Sequence, residues 1–327
     1  TSSRRQRQMC IRDRSNIINI VSETHKIPVF IKLFFNLLAF SFSSSNDTKS
    51  KGKENLSESI QEMGTTFIKL GQFLATRPDI IGEKLSKELE SLQDKLPTFS
   101  KKKAEKIIIE NLGQSNFDDI IDLSEPIAAA SIAQVHKAKI KEDNIIKNVA
   151  IKVLRPNIKK IFNDEIDAIM LLAYIVESLI SKTKRLKLIE VVFLFKEITN
   201  HEMDLRFEAA AANEYAENTK NDLGFFVPKI YWNFTSESVL TLDWVDGVSI
   251  REKDLLKEKN IETSKIATNL IQHFLRHAVR DGFFHADMHQ GNIFINESSQ
   301  IVPIDFGIMG RIDKLSRRYL AEILYGF

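Results

Sequence analysis

The chain has 327 residues, of which 43% are hydrophobic and 28% charged, with one cysteine and a formal net charge of +2. That mixture excludes a disordered or collagen-like chain, and a single thiol excludes an intramolecular disulfide framework, so a reducing compartment is the default. The length suits two domains, or one bilobal unit with an extension.

Residues 1–14 stand apart. The run Arg4-Arg5-Gln6-Arg7-Gln8-Met9-Cys10-Ile11-Arg12-Asp13-Arg14 reads as a sequencing adapter translated in frame and is set aside from the fold. The competing reading is a basic arm for nucleic acid or anionic lipid. Without this run five Arg, one Asp and the only Cys leave, and the net charge turns from +2 to −2. No clustered cationic stripe remains, so no nucleic-acid partner is expected.

The uncharged run from Leu33 to Asn46 is too short and too Ser-rich for the ~20 apolar residues of a spanning helix. From Ile17 to Phe42 the pattern is helical, either a surface helix touching lipid or a partner, or a helix packed on the main body. Residues 43–55 read as a polar linker. Leu56, Ile60, Met63, Phe67, Leu70 and Leu74 recur at helical steps and predict one apolar face, and a short amphipathic helix follows with Leu85, Leu89 and Leu92.

After Pro126 an alanine run, Ala128-Ala129-Ala130-Ser131, leads into two segments, 132–136 and 149–153, that read as strands joined through a turn. Alternation puts Val149, Ile151 and Val153 on one face, and Ala150 with Lys152 on the other. Long helical patterns cover Ile158–Ser181 and Leu186–Tyr215, strands are expected at Lys229–Phe234 and Ser238–Asp243, and a helix at Thr263–Arg280. Short apolar segments at 283–285, 293–295 and 301–304 alternate with polar loops.

Chemistry concentrates near the C-terminus. Asp287 precedes Asn292 by five positions, and Asn292 precedes Asp305 of Asp305-Phe306-Gly307 by thirteen. These offsets match the protein-kinase arrangement, where a loop Asp orients the acceptor while an Asn and a second Asp hold Mg²⁺. Phosphoryl transfer asks for hard oxygen ligands and little covalent chemistry from the protein. Two strands joined by the turn 296–299 would fold Asp305 back toward Asn292. His285 and His289 suggest zinc ligands, but no nearby Cys or third His completes a set, and His285 is expected to brace the loop instead. Upstream, Val149-Ala150-Ile151-Lys152 matches the kinase strand whose Lys reaches phosphates while its Ala packs on adenine. Such a Lys needs a carboxylate from a neighbouring helix, and Glu202, Asp204 and Glu208 offer three; if helical, Asp204 and Glu208 share a face.

The chain resembles the UbiB family of atypical kinase-like proteins, associated with ubiquinone (coenzyme Q) biosynthesis. Four motifs carry the resemblance in order: Lys69-Leu70-Gly71-Gln72, the alanine loop 128–131, Glu202-Met203-Asp204, and the Asp287/Asn292/Asp305 set. The resemblance implies an α+β, bilobal kinase-like fold with an N-terminal helical extension over 15–122, an N-lobe over 123–246 and the start of a C-lobe over 247–327. It implies ATP or ADP and Mg²⁺ as ligands: Lys152 on the phosphates and paired with Glu208, Asn292 and Asp305 on Mg²⁺, Asp287 at the catalytic-base position. Ala128, Ala129, Ala130 and Ser131 would cover the nucleotide, and Ala150, Asp243 and Val245 would border the adenine. Lys69 and Gln72, with Glu202 and Asp204, would lie over the cleft where a kinase admits a peptide.

Each Cβ of the alanine loop restricts the positive-φ, close-approach geometry that glycine gives a phosphate-covering loop; three alanines could instead continue a helix. The chain is expected to be a fragment whose anchoring tail and remaining C-lobe are lacking, leaving apolar surface exposed. The implied function is Mg²⁺-dependent ATP binding with slow hydrolysis, peripheral on the cytoplasmic face of the inner membrane, with a membrane lipid, a quinone precursor or quinone-biosynthesis enzymes as partners. Two rivals stand beside it. A true protein or small-molecule kinase would place phosphate on an acceptor, whereas a non-catalytic scaffold or lipid-binding module would survive loss of both Asp287 and Asp305.

Overall fold

The computed structural model describes residues 60, 64–89, 97–179 and 181–326. The adapter-like run, the helix expected at Ile17–Phe42 and the linker at 43–55 lie outside the described residues. In chain order the helices are α1 (Thr65–Ala75), α2 (Pro78–Ile81), α3 (Glu83–Leu89), α4 (Lys101–Leu112) and α5 (Gln114–Asp118). Strands β1 (Ile120–Ile121), β2 (Pro126–Ala129), β3 (Ala133–Glu142) and β4 (Ile145–Leu154) follow, then α6 (Ile158–Leu179), α7 (Leu188–Glu202) and α8 (Leu205–Thr219). The remainder is β5 (Val239–Asp243), β6 (Gly247–Ser249), α9 (Lys253–Glu258), α10 (Thr263–Arg276), β7 (Phe283–His285), β8 (Ile293–Asn296), β9 (Ile301–Pro303), β10 (Met309–Arg311) and α11 (Lys314–Tyr325). The α+β expectation is met.

Contacts divide the chain into two units, one comprising residues up to 97, 129–132 and 157–200, the other 98–128, 133–156 and 201–327. The first is helical. Its core sets Phe195 of α7 against Phe73 of α1 and Phe162 of α6, ring centroids 5.6 Å apart in both pairs, with Ile68 and Ile166 fully buried. On α1 the buried side is Thr66, Ile68 and Gly71, whereas Phe67, Leu70 and Leu74 of the expected apolar face are half-buried.

The second unit is built on a sheet ordered β1-β3-β4-β5, with β2 also on β3. Glu142 pairs with Ile145, so β3 and β4 are joined by the two residues Asp143 and Asn144, both at positive φ (49° and 62°), the geometry that matches strand twist in a tight hairpin. Val149, Ile151 and Val153 are buried under α4, where Ala104 and Ile108 close the core with Tyr231, Phe234 and Val239. The opposite face of β4 carries Ala150 and Lys152, as the alternation requires. A three-stranded sheet β6-β8-β9 and a β7-β10 pair hold the C-terminal segments. On α11, Leu315, Tyr319 and Ile323 are exposed. Among the described residues no helix is long and apolar enough to cross a membrane.

Four segments differ from expectation. The helix expected over 186–215 breaks at Met203-Asp204 into α7 and α8, because Asp204 leaves helical geometry to cap α8, accepting the Arg206 N–H at 3.1 Å. Segment 229–234 is not a full strand: it makes one bridge, Ile230 to Leu242, then a 3₁₀ turn over Trp232–Phe234. The alanine run, expected as a loop, is strand through Ala129, which also removes the helical alternative, and the helix expected over 263–280 ends at Arg276 in a π turn over His277–Asp281.

One buried polar group joins α4's approach to the sheet. The Gln134 Oε1 accepts the Phe99 N–H at 3.0 Å, while its Nε2 donates to the Phe99 carbonyl at 3.1 Å and to His136 Nε2 at 2.9 Å. His136 Nδ1 lies 2.8 Å from the Ser124 carbonyl, which can only accept, so Nδ1 bears the proton and Nε2 receives from Gln134. Burial holds the His136 pKa below its ordinary value. The folded state therefore favours neutral His136, and its contribution, present above about 6.5, is lost as pH falls below that value. Gln134→Ala is expected to lower stability in urea unfolding by about 2 to 4 kcal/mol, since it strands three partners; a loss under about 0.5 kcal/mol would contradict the network. Unfolding free energy should also decline as pH is lowered from about 7.5 to about 5.5, and a rise across that window would contradict a neutral buried His136.

Candidate nucleotide and metal site

Lys152 sits mid-strand on β4, between Val135 of β3 and Leu240 of β5 in register. Its ammonium lies 2.9 Å from both Glu208 oxygens and 3.3 Å from Asp305 Oδ2. The side chains of Lys152 and Glu208 are 16% and 8% exposed, that of Asp305 43%. Burial works to lower the Lys152 pKa, but attraction to Asp305 and Glu208 outweighs it, so the ammonium stays charged. Burial raises the Glu208 carboxyl, and the nearby Asp305 charge adds to the rise against the pull of Lys152. For Asp305 burial acts upward, yet Lys152 and the Gly307 N–H, at 2.9 Å from Oδ1, hold its pKa below the usual carboxylate value.

The break at Asp204 explains which carboxylate pairs with Lys152. Glu208 lies in the first turn of α8, where the helix dipole favours a carboxylate, whereas Asp204 is outside the helix and spends its side chain on Arg206. The shared face expected for Asp204 and Glu208 therefore does not exist. Glu202 is half-buried at the end of α7, and Lys69 and Gln72 are half-buried on α1 in the helical unit.

The loop after β7 is braced by His285. Its Nδ1 accepts the Asp287 N–H at 3.1 Å, so Nε2 carries the proton and donates to the Asp305 carbonyl at 2.6 Å. Burial favours this neutral ring. Both nitrogens are thus occupied, which removes His285 as a zinc ligand, while His289 Nδ1 accepts the Gly291 N–H. β8 and β9 fold back as an antiparallel pair, and the Ile304 N–H donates to the Asn292 carbonyl at 3.0 Å, bringing Asp305 beside Asn292.

These residues fit a divalent cation. Asn292 Nδ2 donates to Asp287 Oδ2 at 3.2 Å, which commits the amide nitrogen and leaves Oδ1 as the ligand atom. With the half-open Asp305 carboxylate it makes the hard oxygen set that Mg²⁺ prefers. On the Lys152 face of the sheet Ala150 pairs with Leu242, whereas Asp243, which ends β5 in register with Val149, turns its side chain to the core face, accepting from Tyr231 Oη at 2.6 Å and the Lys229 N–H at 3.2 Å. Val245 follows, half-buried. Ala128 and Ala129 close β2, and Ala130 and Ser131 form the bend beyond it.

Sequence reasoning missed the packing that seats this site. Phe306 is 2% exposed, its N–H directed at Glu208 Oε1, and its ring lies on Tyr215 at 6.4 Å. Tyr215 in turn meets His277, which pairs with Asp222. The spacing of His273 and His277, one helical turn apart, was the available signal. Because Glu208 is the buried partner of Lys152, Glu208→Ala is expected to cost about 3 to 5 kcal/mol in chemical unfolding; a loss below about 1 kcal/mol would mean that the pair is not desolvated.

Comparison with known proteins places this geometry. Residues 91–327 match the family model described as the ABC1 atypical kinase-like domain. Curated relatives named probable protein kinase UbiB include one from Marinobacter nauticus, 34% identical over 307 residues (92% of this chain, 55% of the relative). One from Tolumonas auensis is 35% identical over 313 residues (93% and 56%), and one from Histophilus somni 37% over 274 residues (82% and 50%). The chain spans about half the length of these relatives. Among solved structures, the Mycobacterium tuberculosis protein Rv3197 in complex with erythromycin aligns with a TM-score of 0.56 at 24% identity, covering 79% of this chain and 66% of that one, a likeness of fold. With a kinase-like fold and this match over most of its length, the chain belongs to the ABC1 atypical kinase-like family, alongside the UbiB proteins.

Proposed function

We propose that the protein binds ATP with Mg²⁺ and acts as an atypical kinase-like ATPase that supports ubiquinone biosynthesis at a membrane surface. The observation that carries the nucleotide reading is the Lys152 ammonium held between Glu208 and Asp305 on one face of the sheet. The biosynthetic and membrane parts rest on the kinship with UbiB proteins.

In this reading Lys152, kept cationic and aimed by Glu208, holds the α and β phosphates. Asn292 Oδ1 and the Asp305 carboxylate would hold Mg²⁺, which when bound neutralises charge on the phosphate oxygens. Asp287, tied to Asn292 and with its backbone fixed by His285, stands where a hydroxyl or water nucleophile would be oriented. Ala150 and Val245, with the backbone rather than the side chain of Asp243, would border the base. On the kinship, Ala128, Ala129, Ala130 and Ser131 would act as the phosphate-covering loop, stiffer than one of glycines because each Cβ narrows the accessible backbone geometry. On the kinship alone, Lys69, Gln72, Glu202 and Asp204 would disfavour peptide acceptors, leaving water or a small lipid acceptor.

Two measurements test this. ATP binding and phosphate release should require Mg²⁺, and Asp305→Asn should reduce both by at least about tenfold, the scale of losing one charged metal ligand; unchanged values would reject the metal assignment. Ala129→Gly should alter the preference between ATP and ADP and raise self-phosphorylation, whereas an identical nucleotide profile would reject the role given to the alanine loop.

A further inference from the structure

Behind the Lys152 site lies a cluster of buried polar side chains. Asp222 follows α8, while His273 and His277 lie at the end of α10 and in the π turn, and all three are buried. Their donor atoms lie within 4.8 Å of one another, a spacing open to a metal ion. Charge decides against that use. Arg280 donates to both Asp222 oxygens, at 2.7 and 2.9 Å, and Arg276 adds a second cation 3.8 Å away. A carboxylate already neutralised by two guanidinium groups is a poor partner for a third positive charge.

The hydrogen bonds instead form a connected, fully paired chain. Arg280 donates to Asp222, whose Oδ2 lies 2.9 Å from His277 Nε2 and can only accept, so His277 carries its proton on Nε2. Nδ1 is then an acceptor, and the Tyr215 hydroxyl donates to it at 2.6 Å. The Tyr215 oxygen is turned toward the backbone N–H of His285, and its ring lies against Phe306, the neighbour of Asp305. From His285 the chain continues through Nε2 to the Asp305 carbonyl. Every donor faces an acceptor: Asp222 receives from both Arg280 and His277, and His285 gives from its Nε2 to the Asp305 carbonyl.

The backbone is shaped to allow this. The five-residue π turn after α10 rotates His277 inward, and Gly282 closes it at φ 70°, its N–H bonded to the His277 carbonyl at 2.9 Å. A Cβ at Gly282 would lie 2.7 Å from the Ile312 carbonyl oxygen, so only glycine fits. Tyr215 sits seven residues after Glu208 on α8, two turns along the same helix, and its ring also supports Phe306.

We infer that Tyr215 and His277 are positioning residues for the nucleotide and metal site: through one hydrogen-bond chain they lock the catalytic loop and Asp305 to the helix that carries Glu208. The inference rests on the nucleotide reading above for its consequence, but not for its geometry. A buried chain whose members are all satisfied rigidifies what it joins, and breaking one link leaves the others under-satisfied.

The test uses Tyr215→Phe, which keeps the ring against Phe306 and removes only the hydroxyl. In the ligand-free protein, amide hydrogen exchange over residues 283–308 should accelerate by about fivefold, the scale of one buried hydrogen bond, while residues 133–154 keep their protection. The Mg²⁺ concentration for half-maximal ATP binding should rise by a similar factor, with Mg²⁺-free nucleotide affinity within about twofold of the parent. His277→Gln, which can still donate to Asp222 but cannot reach Tyr215, should give the same pattern. Exchange that is unchanged, or that accelerates equally in both segments, would overturn the inference. Should the parent protein fail to bind Mg²⁺ and ATP at all, the functional reading falls, and the exchange comparison still decides the positioning role.

Discussion

A single ammonium held between two carboxylates organises the unit that carries the site. Lys152 leaves a strand whose other face is committed to the core, Glu208 leaves the first turn of α8, and Asp305 leaves the loop after β9. A buried charge survives only with partners, so the sheet, the helix and the C-terminal loop are bound to one another by an electrostatic requirement as well as by packing. The asymmetry within the trio matters. Glu208 is nearly sealed and serves Lys152, whereas Asp305 keeps part of its carboxylate open and can serve a second cation. The group that is structurally committed and the group that is chemically available are thus set apart by burial alone.

The same division recurs around the loop. His285 and Asn292 each have one function spent internally, His285 with both ring nitrogens and Asn292 with its amide nitrogen, so that what remains facing outward is oxygen. Such a site is preorganised: the cost of orienting its groups is met by the fold before any ligand arrives. The Arg280–Asp222–His277–Tyr215 chain extends this logic one layer deeper, fixing the backbone from which the loop springs.

Much of this was legible in the sequence because it follows from period and spacing. Alternation over Val149–Val153 placed Lys152 with Ala150, and the offsets among Asp287, Asn292 and Asp305 required the hairpin that β8 and β9 provide. What stayed hidden depended on choices that local pattern does not record. An apolar helical rhythm ran straight through Met203-Asp204, yet Asp204 ended one helix and capped the next, a side-chain hydrogen bond outweighing propensity. The turn of His277 into the core needed a π turn, for which one glycine at Gly282 was the sole hint. Residue pattern alone narrowed the partner of Lys152 to three carboxylates; the family resemblance named Glu208, and the start of α8 at Leu205 gives the physical reason. Gln134 and His136 read as ordinary strand residues until Phe99, 35 positions away from Gln134, supplied their partner.

The most direct measurement is electron paramagnetic resonance with Mn²⁺ replacing Mg²⁺ in the presence of ATP. The account predicts phosphorus hyperfine coupling from a protein-bound metal–nucleotide complex, lost when Lys152 or Asp305 is replaced. Mn²⁺ that binds the protein without phosphorus coupling, or a signal indifferent to both replacements, would contradict it.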